Sequence, residues 1–484
     1  MTEHPRVRIG EIDLHAGTWH LIGIGGVGVS GVARLLAAEG LRVRGSDVRE
    51  SQITLALRDE GVDVRIGHDA GHLDGVDVVV ASTAIPPSNP ELAAAQARDL
   101  PILHRSQVLG ALLRARPSIG VIGTHGKGTV SAAITWLLDA AGLEPGFVIG
   151  GLLENYGTNA RPGRAGGWLV AEVDESDGSL INSQPTVAVL NNLELDHLNY
   201  YKDEAQLHAR VRAYFEDNAR LETMVVNAAD EGVRKLLPHL EAVAARPGGP
   251  RLVTFGFDRD DVTVRGSGLA GERMAGSFEV AERRDDGTTV ALGPCSISLP
   301  GAYNASNVLA AIATARALGV AFETIAEAAP AYRGLENRFT LVQAAGVEVV
   351  KDYISHPTGI RRVLEAARGQ AEGEVVAVFK PYRFTMIHYL LDDYAVAFAD
   401  ADRVIVTELY TAGEVPIEGT DTASLCQAIR TSCAQVDYVH ALDDIAPRLL
   451  AEVRPPATVL FFGGDDLFQI ADHYASARRS AEHS

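Results

Sequence analysis

Apolar runs and helix-patterned segments alternate along the first third of the chain. Short runs rich in apolar residues predict strands at Trp19–Ile24, Arg42–Gly45 and Val76–Ala81. Between the first two, apolar residues recur every three or four positions and predict a helix at Val29–Glu39. This order of strand, helix and strand is typical of a parallel sheet with helices packed on its faces.

A second series of strands and helices begins at Ser118. It follows the charged, proline-bearing segment Arg114–Pro117, which we predict to be a linker. Further strands are predicted at Trp168–Val173 and Thr186–Asn191, and both runs end in acidic or amide residues. The chain therefore builds a second α/β unit after the first.

The pattern changes between Arg251 and Pro300, where short alternating segments are separated by glycine and Asp-Asp-Gly turns. This composition favours a β-rich insertion or sheet edge, followed by a helix at Gly301–Leu318. A third α/β series then begins after Arg338-Phe339. Its predicted strands are Val347–Lys351, Val375–Phe379, Val404–Thr407 and Thr458–Phe462.

These patterns predict an α/β protein of three domains, because a chain of 484 residues is too long to fold around one ordinary hydrophobic core. Residues 1–115 are predicted to form a Rossmann-like domain. Residues 116–335 are predicted to form a central P-loop ATPase-like α/β domain with a β-rich edge. Residues 336–484 are predicted to form a second Rossmann-like domain.

Charge and cysteine content narrow the class of protein. A net charge of −20 argues against a nucleic-acid surface and against binding to anionic membranes. The first twenty residues lack an apolar signal core, and no apolar run approaches the roughly 20 residues that span a bilayer. Cys295, Cys426 and Cys433 have no metal-ligand spacing. We therefore expect a cytoplasmic protein.

A glycine-rich segment with a lysine joins the strand at Ser118 to the next helix. We call residues 123–129 the cradle; they are Gly123, Thr124, His125, Gly126, Lys127, Gly128 and Thr129. Glycine N–H groups, a helix N-terminus and a lysine together favour phosphate binding, which predicts ATP as a ligand. The spacing departs from the strict G-x-x-x-x-G-K-[ST] pattern, and a turn that binds nothing is the alternative.

Carboxylates follow the next strand of the central domain. Glu172, Asp174, Glu175 and Asp177 lie within six residues, and Asp196-His197 follows a further strand. Because ligands bind at the carboxyl ends of parallel strands, these carboxylates would face the cradle, where a divalent cation would offset their charge. A solvated acidic loop and a structural Asp-His pair are the alternatives.

The first glycine turn, Gly23–Gly28, opens a helix, and Asp47 closes the following strand. This pattern fits mononucleotide and dinucleotide sites alike. An NAD-dependent oxidoreductase would use this turn but would leave the cradle, the acidic strand ends and the third domain unexplained. A surface position for Asp47 is a further alternative.

Eleven segments resemble motifs of the Mur ligases, the ATP-dependent amide-forming enzymes of peptidoglycan synthesis, over nearly the whole chain. Within the family they are most similar to the alanine-adding branch, the UDP-N-acetylmuramate–L-alanine ligases. The segments are HLIGIGGVGVSG (20–31), GSD (45–47), STAIPPSNPE (82–91), GTHGKGT (123–129), AEVDESDGS (171–179), NNLELDH (191–197), PGAYNASN (300–307), YRGLENRF (332–339), DYISHPT (352–358), FKPYRFT (379–385) and LYTAGEVPIEG (409–419).

The resemblance implies a reaction. ATP would phosphorylate the lactyl carboxylate of UDP-N-acetylmuramate, and an amino acid, L-alanine in this branch, would attack the acyl phosphate. The implied catalytic residues are Lys127, Glu172, His197, Arg338 and Asp352. The implied cofactors are ATP and Mg²⁺, the partners are small-molecule substrates, and the protein would be a monomer or homodimer.

The resemblance also implies binding residues. ATP would contact cradle residues Gly123, Thr124, Gly126, Lys127, Gly128 and Thr129, with Asn304, Asn307, Arg338 and Asp352. Mg²⁺ would contact Thr129, Glu172 and His197. The UDP-sugar would contact Gly25, Gly26, Gly28, Ser46, Asp47, Ser82 and His125. The amino acid would contact His356, Tyr382, Arg383 and Met386.

The sequence departs from the branch at several positions. Gly128 stands where the branch has threonine. The branch has Asp-Asp-Tyr-x-His-His-Pro where this chain has KDYISHP (351–357), so the first Asp and the first His are lost. The branch has Gln-Pro-His-Arg-Tyr-Thr-Arg where this chain has KPYRFTM (380–386), so a His and an Arg are lost. Lys351 or Lys380 could replace the lost charge. These departures have three alternative explanations. They are neutral drift, a different amino-acid or peptide donor as in recycling murein peptide ligases, and a non-catalytic nucleotide-binding homologue.

Overall fold

The computed structural model describes residues 8–9, 12–13, 17–198, 200–272 and 275–482. Within this range the chain forms two compact units. The first contains the described residues up to Gly268, together with Glu279–Cys295 and Asn307–Arg333. The second contains the remaining described residues of 269–278 and 296–306, and the chain from Gly334 onward.

The first domain is built on a parallel sheet. A short pairing of β1 (Arg8–Ile9) with β2 (Ile12–Asp13) precedes it. Its elements are β3 (Thr18–Ile22), α1 (Val27–Ala38), β4 (Arg42–Asp47), α2 (Gln52–Asp59), β5 (Asp63–Ile66), β6 (Val78–Ala81), α3 (Pro90–Ala97), β7 (Ile102–His104) and α4 (Arg105–Arg114). The five large-sheet strands follow the order β5-β4-β3-β6-β7, as a doubly wound fold requires.

The central sheet has ten strands among the described residues. Its elements are β8 (Ser118–Ile122), α5 (Lys127–Ala140), β9 (Gly146–Leu153), β10 (Thr158–Arg161), β11 (Leu169–Glu172), β12 (Val187–Leu190), α6 (Glu204–Glu216), β13 (Thr223–Asn227), α7 (Glu231–Ala244), β14 (Arg251–Phe257), β15 (Val264–Glu272), β16 (Ala275–Arg283), β17 (Thr289–Ile297), α8 (Ala302–Ala317) and α9 (Phe322–Ala328). The order is β10-β9-β11-β8-β12-β13-β14-β15-β16-β17. The last four strands occupy the segment that the sequence predicts to be β-rich.

The third sheet lies within the second unit. Its elements are β18 (Thr340–Ala344), β19 (Val347–Asp352), α10 (Pro357–Arg368), β20 (Glu374–Phe379), α11 (Phe384–Tyr389), α12 (Leu391–Ala397), β21 (Arg403–Thr407), α13 (Thr422–Ile429), β22 (Gln435–Val439), α14 (Ile445–Glu452), β23 (Ala457–Phe462) and α15 (Asp465–Glu482). The order is β18-β19-β23-β20-β21-β22, with only β18 antiparallel to its neighbour. The α/β class and the three-domain architecture predicted from the sequence are confirmed.

The first glycine turn shows why one strand and one helix differ from their predicted bounds. Strand β3 ends at Ile22, not Ile24, because Gly23 has a φ of 74° and its N–H donates to the Ser46 carbonyl (2.8 Å). Helix α1 begins at Val27, two residues before the predicted start, because Gly26 already serves as its N-cap. The turn therefore has the four residues that the apolar pattern indicates, but it lies two residues earlier in the chain.

The described helices were also compared with the requirements of a membrane span. None of them combines the length and apolar character needed to cross a bilayer.

Candidate functional site

The cradle connects β8 to α5 in the first unit, and two of its glycines hold backbone that other residues rarely adopt. Gly126 has a φ of 75°, and a Cβ placed there would lie 2.6 Å from Asn307 Oδ1. Gly123 has a φ of 146°, and its Cβ would lie 3.1 Å from the Asn192 carbonyl oxygen. A side chain at Gly126 would therefore push Asn307 away from the helix N-terminus, where anions bind.

Lys127 is the first residue of α5 and its ammonium lies among acceptors. Nζ donates to the Gly123 carbonyl (2.7 Å) and to Glu175 Oε1 (2.8 Å). Burial acts to lower the pKa of Lys127, but the charges of Glu175, Glu172 and Asp174 raise it above its ordinary value. The lysine is thus a fixed cation at the helix N-terminus.

Three carboxylates at the end of β11 and just after it surround that cation. Glu172 accepts from the Gly150 N–H (2.8 Å), and Asp174 accepts from Arg105 Nη2 (2.6 Å). Burial acts to raise the pKa of Asp174, but Lys127 and Arg105 lower it to about 2. Asp174 is therefore charged, and its pairing with Arg105 does not fit the alternative of a solvated loop.

Glu175 is the most enclosed of these carboxylates, at 4% exposure. One oxygen meets Lys127, while Oε2 is buried and has no hydrogen-bond partner among the described residues. An unsatisfied buried carboxylate oxygen is costly, and carboxylate oxygens are the hard ligands that Mg²⁺ prefers. The residues present therefore fit a magnesium ion, which Glu172 and Glu175 would help to hold.

His197 approaches the same carboxylate from the segment after β12. Its Nε2 lies 3.4 Å from Glu175 Oε1, the oxygen that also accepts from Lys127. Burial acts to lower the pKa of His197, but the bond to Glu175 and the charge of Asp196 raise it. Lys127 and His197, predicted from separate motifs, are thus joined by Glu175, which the sequence indicates only as part of an acidic run.

Four more of the predicted ATP residues, Gly128, Thr129, Asn304 and Asn307, lie on α5 and α8. The Thr129 carbonyl accepts from the Tyr332 hydroxyl (2.8 Å), and Asn307 Oδ1 accepts from Asn191 Nδ2 (2.8 Å) at the cradle. Gly128 is the second residue of α5. Asn304, which belongs to the second unit, donates to the Pro300 carbonyl (2.8 Å). The structure therefore places Asn307 beside the cradle within the first unit.

The first glycine turn is tied to the end of β4. Asp47 Oδ2 accepts from the Gly25 N–H (2.9 Å), and a Cβ at Gly25 would lie 2.9 Å from that oxygen. A Cβ at Gly28 would lie 3.2 Å from Arg105 Nη1. Arg105 therefore lies between this turn and Asp174 of the central domain, a position that no motif in the sequence indicates.

Ser82 and His125 also follow strands of the first unit. Ser82 comes directly after β6, and its carbonyl accepts from the Ile85 N–H (3.1 Å). His125 lies in the cradle, where its N–H donates to Asn192 Oδ1 (2.7 Å) and its Nε2 lies 3.0 Å from Glu194 Oε2. Of the other predicted UDP-sugar residues, Gly26 is the N-cap of α1 and Ser46 lies in β4.

The second unit holds the predicted clamp residues. Asp352 is 4% exposed, accepts from the Phe339 N–H (2.9 Å) and lies 3.8 Å from Arg338 Nη1. Burial raises the pKa of Asp352 to about 6, and Arg338 offsets only part of this effect. The structure brings these two residues together, and their role as an ATP clamp stays a prediction.

The predicted amino-acid residues lie near the starts of α10 and α11. His356 is the N-cap of α10, and its Nδ1 accepts from the Thr358 N–H (3.3 Å). Arg383 has a φ of 63° and its Cζ lies 5.0 Å from the centre of the Tyr382 ring. Met386 is buried, with Sδ 3.9 Å from Ser355 Oγ. Two departures from the branch pattern, Ser355 and Met386, are therefore neighbours.

Both lysines considered as replacement charges already have partners. Lys351 Nζ lies 2.9 Å from Asp472 Oδ1, and Lys380 Nζ contacts Asp466 Oδ2. Each ammonium is neutralised by a carboxylate of α15. Neither ammonium group is therefore left unpaired to bind a substrate carboxylate.

Three family models match successive parts of the chain. The Mur ligase family catalytic domain matches residues 18–117, and the Mur ligase middle domain matches residues 121–315. The Mur ligase glutamate ligase domain matches residues 337–464. The three matches together extend over most of the sequence.

Full-length relatives agree with these matches. A UDP-N-acetylmuramate–L-alanine ligase of Phenylobacterium zucineum is 38% identical over 461 residues, covering 94% of each chain. The crystal structure of the UDP-N-acetylmuramate–alanine ligase MurC from Thermotoga maritima has a TM-score of 0.78 at 25% identity, covering 96% of this chain and 100% of that one. A murein peptide ligase from Psychrobacter arcticus shares the fold, with a TM-score of 0.70 at 22% identity and coverage of 96% and 99%.

Proposed function

Because the chain belongs to the Mur ligase family, we propose that it is an ATP-dependent, ADP-forming ligase that joins L-alanine to UDP-N-acetylmuramate. Relatives of this name match it over nearly the full length, which supports a role in peptidoglycan precursor synthesis. The observation that carries the proposal is the geometry of Lys127, a cation at the start of α5 among three carboxylates.

The first step is phosphoryl transfer. A carboxylate is a poor acyl donor, so a lactyl carboxylate oxygen attacks the γ-phosphorus of ATP and the bond to ADP breaks, giving an acyl phosphate. Lys127 and the N–H groups at the start of α5 stabilise charge on the transferring group. Bound Mg²⁺ would supply further charge neutralisation at Glu172 and Glu175, with Thr129 and His197 as additional candidate contacts.

The second step forms the amide. The amino group of L-alanine attacks the acyl carbon, inorganic phosphate leaves, and the amine loses its proton. Arg105 is proposed to help bind the sugar nucleotide, because its guanidinium lies between the first glycine turn and Asp174. His356, Tyr382, Arg383 and Met386 are the proposed amino-acid residues, with Arg338 and Asp352 as an ATP clamp. A cytoplasmic location follows from the need for ATP.

Phosphate release tests the proposal. Purified protein is mixed with ATP, Mg²⁺ and UDP-N-acetylmuramate, and each of the twenty amino acids, D-alanine or the murein tripeptide is added in turn. Phosphate release should require the sugar nucleotide and be highest with L-alanine, and product mass should rise by one alanine residue. No stimulation by any donor refutes the ligase proposal, and preference for the tripeptide supports the recycling activity instead.

A matched variant identifies the site responsible. Lys127→Ala should abolish phosphate release, because no other group replaces the ammonium at the start of α5. Lys202→Ala is the control, since Lys202 is an exposed lysine of the same domain. Activity that survives in Lys127→Ala would place the reaction elsewhere.

A further inference from the structure

A carboxylate with three histidines lies in the first domain, and of this group the sequence analysis assigns a binding role only to Ser46. Glu91 is 0% exposed and lies in the first turn of α3, just after its N-cap Asn89. We call Glu91, Ser46, His20, His68 and His72 the Glu91 cluster. Full burial of a carboxylate requires that its oxygens be satisfied, and the cluster supplies the donors.

Both oxygens of Glu91 are engaged. Oε2 lies 3.3 Å from His20 Nε2 and 3.2 Å from His68 Nδ1, and it accepts a hydrogen bond from the Ser46 hydroxyl. Oε1 lies 2.7 Å from His72 Nδ1. Burial acts to raise the pKa of Glu91, but these bonds lower it to about 2, so the group is a carboxylate at neutral pH.

The carboxylate determines which histidine nitrogens carry protons. An ionised carboxylate only accepts hydrogen bonds, so His68 and His72 donate from Nδ1. Their Nε2 atoms then lie on the side of each ring that faces away from Glu91. The side chains of His68 and His72 are 13% and 22% exposed, whereas that of His20 is 1% exposed. The two outer rings are therefore reachable by a ligand while Glu91 is not.

The cluster is joined to the first glycine turn through Ser46. The Ser46 carbonyl accepts from the N–H groups of Gly23 (2.8 Å) and Ile24 (3.0 Å), while its side chain binds Glu91. Ser46 lies near the carboxyl end of β4 and His68 follows β5, so both lie at the same edge of the parallel sheet, and Glu91 reaches this edge from the first turn of α3. This edge is where open α/β sheets bind ligands.

We infer that Glu91 is a positioning residue of the sugar-nucleotide site: it orients Ser46, His68 and His72 so that their polar atoms meet the UDP part of the substrate. Glu91 itself does not touch the ligand. The inference rests on the proposed function, which supplies the identity of the sugar nucleotide. It adds His68 and His72 to the proposed UDP-sugar residues and gives Ser46 a fixed orientation.

Glu91→Gln is the direct test, because it keeps the shape and removes the charge. The amide group points two N–H donors at a pocket of donors, so the imidazoles lose their fixed tautomers. We expect the KM for UDP-N-acetylmuramate to rise about tenfold, with kcat and the KM for ATP changed less than about twofold. Glu50→Gln, at an exposed ion pair with Arg58 in the same domain, is the matched control.

A second readout separates positioning from a structural role. In protein labelled with ¹⁵N-histidine, two-bond ¹H–¹⁵N spectra report the tautomer of each ring. The wild type should show His68 and His72 protonated at Nδ1, and Glu91→Gln should change both patterns. If Glu91→Gln does not fold, His72→Asn leaves the buried part of the cluster intact and should still weaken UDP-N-acetylmuramate binding in calorimetry.

The outcomes distinguish the two proposals. A wild type that is inactive with every donor refutes the proposed function. If the wild type is active, an unchanged KM for the sugar nucleotide in Glu91→Gln refutes the positioning role of Glu91. If that variant does not fold, unchanged calorimetric binding of UDP-N-acetylmuramate by His72→Asn refutes it. A fall in kcat as large as the rise in KM would also contradict the positioning role, because it would indicate a general loss of structure.

Discussion

Replacing Glu175 by glutamine should slow catalysis far more than it affects folding. Glu175 Oε1 meets both Lys127 Nζ (2.8 Å) and His197 Nε2 (3.4 Å), so a single oxygen holds two proposed catalytic groups. The amide oxygen of glutamine can still accept from Lys127, but the bond loses its charge. The variant therefore tests the charge of Glu175 and leaves its volume unchanged.

The magnitude follows from the kind of bond that is weakened. A hydrogen bond between charged groups contributes about 1.5–3 kcal/mol, roughly twice a neutral one, and 1.4 kcal/mol corresponds to a tenfold change in rate. Loss of the charge, together with loss of one oxygen ligand at Oε2, should lower kcat about 10- to 100-fold. In folding, the weakened bond to Lys127 is offset because glutamine removes a buried charged oxygen that has no described hydrogen-bond partner, so stability should fall by less than about 1 kcal/mol.

The assay is phosphate release at saturating ATP, sugar nucleotide and L-alanine, with Tm measured on the same samples. Glu241→Gln, an exposed position of the central domain, is the control. A kcat within about twofold of the wild type would refute the reasoning that Glu175 organises the site. A large fall in Tm would instead assign Glu175 a structural role.

Three further changes test other parts of the account. Arg105→Met should raise the KM for UDP-N-acetylmuramate about tenfold and leave the KM for ATP nearly unchanged, as initial rates with each substrate varied will show. Gly126→Ala should abolish ATP binding in calorimetry, because the new Cβ would lie 2.6 Å from Asn307 Oδ1. Gly142→Ala is the control and should bind ATP normally, because Gly142 has a similar φ (73°) but its Cβ would have no neighbour within 4 Å. Burial raises the pKa of Asp352 from 3.8 to about 6, so the folded state holds this proton more tightly than the unfolded state. Asp352 therefore lowers the free energy of unfolding as the pH rises from about 4 to 7. Asp352→Asn should therefore gain about 2–3 kcal/mol relative to the wild type over that range in urea unfolding, and a constant difference would contradict the shift.

The cradle shows how much of the site could be predicted from the sequence. Its glycines, its lysine and the apolar run before them are contiguous, so local pattern was sufficient to predict a strand, a tight turn and a helix N-terminus. The structure has these elements as β8 and α5, with Gly126 in the left-handed region. The roles of the predicted ligand-binding residues stay predictions.

Contacts between distant segments could not be predicted in the same way. The sequence indicates four carboxylates after β11 but not that Glu175 is the one that meets Lys127, because this depends on how the loop packs. Arg105 begins a helix of the first domain, yet it binds Asp174 of the central domain, 69 residues later. The Glu91 cluster likewise joins residues from several strand ends, and its histidines have no motif spacing.

The isotopic origin of the released phosphate tests the central claim most directly. UDP-N-acetylmuramate labelled with ¹⁸O in the lactyl carboxylate is incubated with ATP, Mg²⁺, L-alanine and the protein, and the phosphate is examined by mass spectrometry. The account predicts one ¹⁸O in each released phosphate, because the carboxylate oxygen that attacks phosphorus leaves with it when the amide forms. Amide product accompanied by unlabelled phosphate would contradict the acyl phosphate and the account built on it.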